Sequence, residues 1–286
     1  MKYAFIQQQT IASVARWCRL LRVSRSGYYD WRGRGESARA AADRGLVAHL
    51  QRVHTQFRQA YGTRRVWRHL SAEGIACGRQ RIARLRRMHG ILTRRRRRFR
   101  LTTHSKHRHW IAPNLLKRQF KADKPNQAWV GDVTFVATRA GWLYLAVLLD
   151  LHSRRVVGWS MSERNDVALV LGALRMAITA RRPPAGLIHH TDRGRLYAAD
   201  AYRDVMARHR MVPSMSRKRD CWDNAVAESF FATIKHELIW GRDFKTRDQA
   251  RQAIFEYIEV FYNRQRSHQT LDYRSPVDFE ALMNVA

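Results

Sequence analysis

The spacing of apolar residues along the chain changes near residue 120. Before that point apolar residues recur at helical intervals, as in a predicted helix over residues 36–58 with Leu46, Leu50 and Val53 on one face. Beyond it they come in short runs of the length that strands need. The pattern therefore predicts an all-α front part and an α/β rear part.

The front part contains further helical patterns. Residues 10–31 indicate two short helices, which are equally compatible with a weak helix-turn-helix and with a simple helical hairpin. A helix over 63–72, a turn and a basic helix over 79–89 follow in the order of a helix-turn-helix, whose second helix lies in the major groove of DNA. A basic three-helix bundle without groove contact is the alternative. The arginines of the basic helix predicted to contact DNA are Arg79, Arg81, Arg84, Arg86 and Arg87.

The rear part begins with three strand patterns joined by short turns and continues with alternating helices and strands. The predicted strands cover residues 128–136, 141–150, 155–160, 187–190 and 211–214, and the predicted helices 166–180, 198–210, 224–236 and 247–263. This order is that of an α/β ribonuclease H-like core, a five-stranded mixed sheet flanked by helices. By analogy with that fold, the first and fourth strands are expected to be neighbours.

The charge is concentrated in the front part. The chain has a formal net charge of +31, and residues 1–120 hold 29 of its 54 Lys and Arg but only 4 of its 23 Asp and Glu. Such a charge predicts binding to a polyanion, with an affinity that falls steeply as salt rises. A solvated basic surface or a membrane-surface patch is the alternative. A polybasic run, predicted to follow a phosphate backbone or a minor groove, comprises Arg94, Arg95, Arg96, Arg97 and Arg98.

These patterns divide the chain into four predicted segments. They are an N-terminal helical segment (1–35), a helix-turn-helix DNA-binding domain (36–95), a polybasic linker (96–120) and a catalytic core with a C-terminal helical extension (121–286). No uninterrupted run of 18 apolar residues predicts a membrane span, and no apolar N-terminal stretch predicts a secretory signal. Three distant cysteines form neither a disulfide framework nor a metal knuckle. A bacterial cytoplasmic, nucleoid-associated protein is expected.

Three acidic residues lie at positions where an acidic side chain suggests a partner or a ligand. Asp132 interrupts an apolar strand, where a buried carboxylate requires a partner or a metal. Asp192 follows a short apolar strand, and ligands gather at strand ends in α/β proteins. Glu228 lies on a predicted helix, on one face with Asn224 and Lys235. Each also has a simple structural alternative, namely an outward-facing Asp, a turn-forming Asp and a surface Glu.

The competing acids near Glu228 are Asp223 and Glu237. Three carboxylates on separate elements suit two Mg²⁺ or Mn²⁺ ions, roughly 3.5–4 Å apart over a phosphodiester bond. Asp132 would be shared by both ions, with Asp192 on one and Glu228 on the other. One ion would activate a water or a 3′-hydroxyl, and the other would stabilise the leaving 3′-oxygen.

Two more residues are candidates near the carboxylates. Lys235 is predicted to contact a DNA phosphate, and His190 is predicted to stand behind the metal ligands. Zinc is not expected, because the 13 histidines show no closed spacing with cysteine.

The three acids, the 35 residues between Asp192 and Glu228, and a C-terminal signature together resemble a known family. The signature comprises Tyr262, Asn263, Arg266, His268 and Leu271. Over about residues 1–282 the chain is similar to insertion-sequence transposases with a retroviral-integrase-like core, the product of the second of two overlapping reading frames.

The resemblance implies a DDE transposase, a polynucleotidyl transferase that carries out metal-dependent strand cleavage and strand transfer at insertion-sequence ends, and hence DNA integration and recombination. Asp132, Asp192 and Glu228 match its catalytic, metal-binding triad. Lys235 matches the basic residue seven positions after the Glu. The signature is expected to support the core and, through Arg266, to contact DNA.

The resemblance also implies partners and leaves alternatives. The partners are double-stranded DNA, further copies of the chain assembled on DNA, and the upstream-frame protein as a fusion or complex. Two departures leave the triad intact: Arg195-Leu196 replaces Ser-Gln, and Arg219-Asp220 replaces Gly-Asn. The alternatives are a DNA-binding regulator with an inactive ribonuclease H-like domain, and a ribonuclease H-like nuclease or Holliday-junction enzyme.

Overall fold

The computed structural model describes residues 2–93, 110–217 and 221–283, and its front part is helical. Its helices are α1 (Lys2–Gln8), α2 (Val14–Leu20), α3 (Arg25–Gly33), α4 (Ala38–Gln56), α5 (Thr63–Ala72) and α6 (Arg79–Met88). The hydroxyls of Ser13, Ser24 and Ser37 accept backbone N–H groups in the first turns of α2, α3 and α4, which explains where these helices begin. Helix α1 was not predicted.

The rear part is built around one sheet. Its elements are β1 (Ala128–Thr138), β2 (Gly141–Asp150), β3 (Val156–Ser162), α7 (Val167–Arg181), β4 (Ile188–Thr191), α8 (Asp200–Arg208), β5 (Val212–Met215), α9 (Ala225–Ile234), α10 (Arg247–Phe255) and α11 (Pro276–Met283). The strand order is β3-β2-β1-β4-β5, with β1 antiparallel to β2 and parallel to β4. The predicted five-stranded mixed sheet and the predicted contact between its first and fourth strands are confirmed.

Each face of the sheet is covered by helices. On one face Val130, Val136 and Val147 belong to a core that includes residues of α9 and α10. On the other face Trp129 and Leu148 pack with residues of α7 and α8. The chain is therefore a three-layer α/β structure behind a helical front part.

The C-terminal helices differ in form from the prediction. Helix α9 continues into wider turns over Lys235–Ile239, and α10 continues into similar turns over Glu256–Tyr262. The backbone N–H of Trp240 bonds to the carbonyl of Lys235 at 2.7 Å, an i to i+5 bond that defines such turns. Helix α11 was not predicted.

The front part packs directly on these C-terminal helices. The rings of Phe57 and Tyr61 stack at 4.0 Å, and the Tyr61 hydroxyl accepts the backbone N–H of Ser267 at 2.8 Å. Arg58 pairs with Glu256 at 2.7 Å. Of the predicted linker (96–120), residues 110–120 are described, and 96–109 lie outside the described residues. In the part of the chain that is described, no helix is both long enough and apolar enough to cross a membrane.

Candidate active site

The strand register brings the two predicted aspartates together. Gly131 of β1 is paired with Thr191 of β4 in parallel register. Asp132 and Asp192 directly follow these two residues in the sequence. A carboxylate of Asp132 accepts the N–H of Val133 at 2.8 Å. Asp132, inside β1, therefore lies level with Asp192, which directly follows the carboxyl end of β4.

The Asp192 carboxylate is fixed by a tight turn. Its Oδ1 accepts the backbone N–H of Gly194 at 2.8 Å. A Cβ on Gly194 would lie only 2.8 Å from that same oxygen. The turn therefore needs glycine at this position to keep the carboxylate in place.

The start of α9 is attached to the same strand. The Asn224 side chain, which is buried, donates from Nδ2 to the carbonyl of Gly131 at 3.3 Å. Helix α9 packs on β1 and β2 and places Glu228 and Lys235 where their charges act on Asp132. The structure thus brings together the three predicted acids and the two polar residues predicted to share the face of Glu228.

The electrostatics of the site are unfavourable for three ionised carboxylates. Burial raises the pKa of Asp132 well above its usual value, and the charges of Asp192 and Glu228 raise it further. The N–H of Val133 and the charge of Lys235 act in the opposite direction without cancelling these effects. Burial also raises the pKa of Glu228. A cation between these carboxylates would remove the repulsion.

Lys235 is itself buried at this site. It is 5% exposed, and burial lowers the pKa of its ammonium group while the charge of Asp132 opposes that shift. Its Nζ lies 5.3 Å from the ring centre of Phe135, within the range of a cation–π contact. Lys235 therefore stands between the carboxylates and the outer end of β1.

Two buried polar atoms beside the carboxylates have no hydrogen-bond partner among the described residues. They are the hydroxyl of Tyr197 and Oδ1 of Asn224. Burial, the neighbouring Tyr202 and the charges of Asp132 and Asp192 all raise the pKa of Tyr197. Tyr197 was not among the residues predicted for the site. Its position five residues after Asp192 was the available signal.

The donor set fits a hard divalent cation in its chemistry and charge. Carboxylate and amide oxygens are the ligands such ions prefer, and the uncompensated charge at Asp132 favours a cation. As they stand, however, no three His, Cys, Asp or Glu side chains within the described ranges are arranged to hold a metal ion. The site therefore has the right groups but is not a closed ligand cage.

The two competing acids are already engaged elsewhere. Asp223, which is fully buried, accepts hydrogen bonds from Arg217, Arg118 and Asn114, and the Arg217 bonds are the main reason that its pKa is far below the usual value. These bonds tie residues 110–118 to the start of α9. Glu237 pairs with Arg266 in the core. Neither acid faces a substrate.

His190 is likewise part of the scaffold. Its Nδ1 lies 2.8 Å from the hydroxyl of Ser214 and its Nε2 3.2 Å from that of Ser216, so it connects β4 to β5 and the turn beyond. Burial lowers its pKa to about 4, so the ring is neutral near pH 7. His190 was predicted to stand behind the metal ligands; its hydrogen bonds instead support the sheet.

The predicted DNA contacts on α6 differ in position. Arg79 and Arg87 are exposed, whereas Arg81 and Arg84 are half-buried and pair with Asp43. Arg86 is only 6% exposed, and its Nε donates to the carbonyl of Ile91 at 3.2 Å. A surface contact is therefore wrong for Arg86, because its guanidinium is used inside the domain.

The polybasic run and one core arginine complete the predicted contacts. The run of Arg94, Arg95, Arg96, Arg97 and Arg98 lies outside the described residues. Arg266 is 4% exposed and donates to both carboxylate oxygens of Glu237, at 2.7 and 2.8 Å. Placing Arg266 at the DNA surface was therefore incorrect.

The C-terminal signature supports the core as predicted. Asn263 accepts the N–H of Val156 and donates to its carbonyl, both at 3.0 Å, which completes the edge of β3. The Tyr262 hydroxyl donates to the carbonyl of Arg154 at 3.2 Å. The ring of His268 packs edge-on against Tyr262. The signature therefore fastens the C-terminal segment to the outer strand of the sheet.

Comparison with known proteins agrees with this architecture. The integrase core domain family matches residues 122–221, a second integrase core family matches 228–282, and an HTH-like domain family matches 41–99. The predicted helix-turn-helix and the ribonuclease H-like type of core are thereby confirmed.

Similar proteins include products of insertion elements. A 31 kDa protein of insertion element IS600 from Shigella sonnei is 46% identical over 262 residues, which cover 92% of this chain and 96% of that protein. The transposase InsF for insertion sequence IS3A from Escherichia coli (strain K12) is 40% identical and covers 98% of both chains.

Among solved structures, the HTLV-2 integrase catalytic core domain in complex with magnesium matches 55% of this chain and 98% of its own. It has a TM-score of 0.42 and 17% identity.

Proposed function

Because the chain belongs to the insertion-sequence transposases with an integrase core and a helix-turn-helix domain, we propose that Asp132, Asp192 and Glu228 form its catalytic DDE triad. The reaction proposed is metal-dependent cleavage of a DNA strand at an insertion-sequence end, followed by transfer of that end to target DNA. The observation that supports it most is the parallel register of β1 and β4, which sets the half-buried Asp132 beside Asp192.

The triad would hold two Mg²⁺ or Mn²⁺ ions. When bound, such ions supply activation of the attacking oxygen and neutralisation of charge on the leaving oxygen. Asp132 and Asp192, adjacent through the β1–β4 register, would provide the first ligands. Glu228, on a separate helix, would complete the set. Because a metal ligand must be ionised and the pKa of Asp132 is raised, the affinity for the cation should increase with pH.

The neighbouring residues orient the substrate and the acids. Asn224 holds the start of α9 against Gly131 and thereby sets the distance of Glu228 from the strand. Lys235 would counter the charge of the Asp132 carboxylate; at 5% exposed it is too buried for the predicted contact with a DNA phosphate, for the same reason as Arg86 and Arg266. Tyr197 offers a buried hydroxyl to a water or phosphate oxygen there. These groups bind and orient, and the carboxylates carry the metal.

The basic front part would hold the DNA outside the site. The exposed Arg79 and Arg87 of α6 are suited to phosphate or base contacts in a major groove. Two DNA ends must be brought together for transfer, so we expect further copies of the chain on the DNA. A fusion or complex with the upstream-frame protein would add end recognition. Because its substrate would be chromosomal DNA, we expect the protein to be associated with the nucleoid.

The triad is tested by isosteric substitution. Asp132→Asn, Asp192→Asn and Glu228→Gln should each abolish strand transfer in Mg²⁺ while duplex affinity is kept. The matched control is Asp204→Asn, which changes an exposed acid on α8 and should leave transfer unchanged.

Strand transfer at wild-type level in any of the three variants would refute the triad. A wild-type protein that binds its DNA ends but cleaves none of them, alone or with the upstream-frame protein, would favour the regulator. Cleavage of an RNA–DNA hybrid in preference to terminal-repeat DNA would favour the nuclease.

A further inference from the structure

Two large aromatic side chains are exposed at the end of the hairpin that carries Asp132. Phe135 on β1 is 42% exposed and Trp142 on β2 is 50% exposed. Their ring centres are 4.9 Å apart and the rings are nearly perpendicular, at 85°. We call this pair the aromatic ledge. Exposed aromatic rings in an otherwise basic protein are the kind of surface on which nucleotide bases stack.

The ledge is adjacent to the active site. Phe135 follows Asp132 by three residues on an extended strand, a distance of about 10 Å along the chain, and the odd spacing starts their side chains on opposite faces of the sheet. Lys235 bridges the gap, because its Nζ lies 5.3 Å from the Phe135 ring centre and its charge acts on Asp132. Successive nucleotides of one DNA strand are about 3.4 Å apart in a duplex. The ledge is therefore within a few nucleotides of a phosphate held at the carboxylates.

Cations border the ledge. The Nε of Arg247 donates to the carbonyl of Trp142 at 3.1 Å, and its guanidinium also pairs with Glu163 at 3.0 Å. Lys235 lies on the other side, over Phe135. A positively charged groove combined with aromatic rings is the recurring arrangement for single-stranded nucleic acid.

The register explains why the rings remain open to a ligand. Phe135 is paired with Tyr144, and Trp142 is paired with Ala137, so the two rings form a diagonal contact across the hairpin. Ala137 is exposed and small. Hairpin stabilisation alone would account for the contact between the rings, but it does not require both rings to be half exposed beside Lys235.

We propose that the aromatic ledge stacks an unpaired base of the DNA strand that is cut at the active site. The inference rests on the proposed transposase function. Bases within a duplex are already stacked on both sides, whereas a base next to a strand break can leave its neighbours. The ledge would hold such a base within a few nucleotides of the reacting phosphate and so keep the cut end in place for transfer.

The test compares two DNA probes in EDTA, where no cleavage occurs. One is a blunt duplex, and the other is the same duplex with a three-nucleotide 3′ overhang that contains 2-aminopurine, whose fluorescence falls when it stacks. Wild-type protein should bind the overhang probe about tenfold more tightly than the blunt probe, and should quench its fluorescence.

The variants Phe135→Leu and Trp142→Leu should each lose this preference and the quenching while keeping blunt-duplex affinity. The matched control is Phe255→Leu, because Phe255 is also 50% exposed and packs edge-on against Trp159, on another part of the surface. It should behave like the wild type. Thermal unfolding of each variant checks that the hairpin is intact.

Retention of the overhang preference by both folded ledge variants would overturn the inference. So would a change in the self-association of the protein without a change in overhang binding, since the ledge would then be a contact between copies. A wild-type protein that binds neither probe and transfers no strand would instead count against the proposed function itself.

Discussion

The Arg266–Glu237 pair predicts that Arg266 acts on stability and not on contact with DNA. The side chains are 5% and 3% exposed, and two guanidinium nitrogens donate to the Glu237 carboxylate at 2.7 and 2.8 Å. The Tyr257 hydroxyl donates to the same carboxylate at 2.8 Å. The perturbation is Arg266→Met, which keeps much of the volume and removes the charge.

The expected cost is about 3–5 kcal/mol, the range for removal of one partner of a buried pair. Burial opposes ionisation of Glu237, but the charge and hydrogen bonds of Arg266 outweigh it, so the pKa of Glu237 is below its usual value. Without Arg266 only the burial and the weaker partners are left, and that pKa should rise.

The sign of the pH dependence follows. In the wild type the lowered pKa of Glu237 contributes stability above the unfolded pKa of about 4.5 and loses it as pH falls through the folded pKa. In Arg266→Met the pKa of Glu237 in the folded state should lie above its unfolded value. The pH dependence then has the opposite sign, so the variant loses stability as pH rises above the unfolded pKa of Glu237. The variant should therefore be more strongly destabilised at about pH 8 than at about pH 5.

Urea unfolding at both pH values measures this difference. Arg266→Met combined with Glu237→Met should recover most of the lost stability, since no unpaired charge is then buried.

DNA binding is measured as a function of salt concentration, below the unfolding temperature. Loss of one phosphate contact lowers the salt slope by about 0.9, so Arg266→Met should keep the wild-type slope. Arg87→Met, on the exposed face of α6, serves as the control that lowers the slope without a stability loss.

This role of Arg266 is refuted if the variant Arg266→Met unfolds at the same urea concentration as the wild type while the salt dependence of its DNA affinity becomes weaker. That result would place Arg266 at the DNA, as the signature had suggested.

Three further predictions concern the site and its scaffold. Asp132→Asn should raise the free energy of unfolding of the metal-free protein, by about 1.4 kcal/mol for each unit by which burial and Asp192 raise the Asp132 pKa; the gain should grow as pH rises above the unfolded pKa of Asp, and a constant gain contradicts it. Asp223→Ala should cost about 2 kcal/mol in urea unfolding, since the partially exposed Arg118 limits the value of the pair. Gly158→Ala should cost about 3 kcal/mol or prevent folding, because its Cβ would lie 2.3 Å from a backbone carbonyl oxygen of α7, and a wild-type melting curve would contradict it.

The fold was largely predictable because local signals and global order agreed. Strand β2 begins and ends at the predicted residues, since Gly141 takes the positive φ of the preceding turn and Asp150 ends the apolar run. The adjacency of Asp132 and Asp192, in contrast, could not come from periodicity. It depends on β1 and β4 pairing across about 60 residues, which only the order of the elements suggested.

Charged and polar residues inside the core were the main errors. Nothing local distinguishes Arg266, which pairs with a Glu 29 residues away, from an arginine at the surface. The same holds for Arg86, whose partner is a backbone carbonyl. Tyr197 was passed over because a buried aromatic residue is ordinarily part of the core, and its hydroxyl becomes notable only when its neighbours are known.

The widened turns after α9 connect the Arg266 pair to the active site. Glu228 and Lys235 are seven residues apart within regular helical spacing, nearly two turns, so both reach the Asp132 side. The helix widens only from Lys235 onward, which turns Glu237 into the core toward Arg266. Such widened turns recur at functional sites.

Arg266 would therefore act as a positioning residue for Lys235, because it holds the turn on which the lysine stands. On this argument Arg266→Met should lose strand transfer even at temperatures where it is folded, while duplex affinity and its salt slope are retained. Arg266→Lys, which restores the charge without the two-pronged hydrogen bonding, should recover stability better than transfer. Equal recovery of both would show that Arg266 contributes charge alone and does not orient the turn.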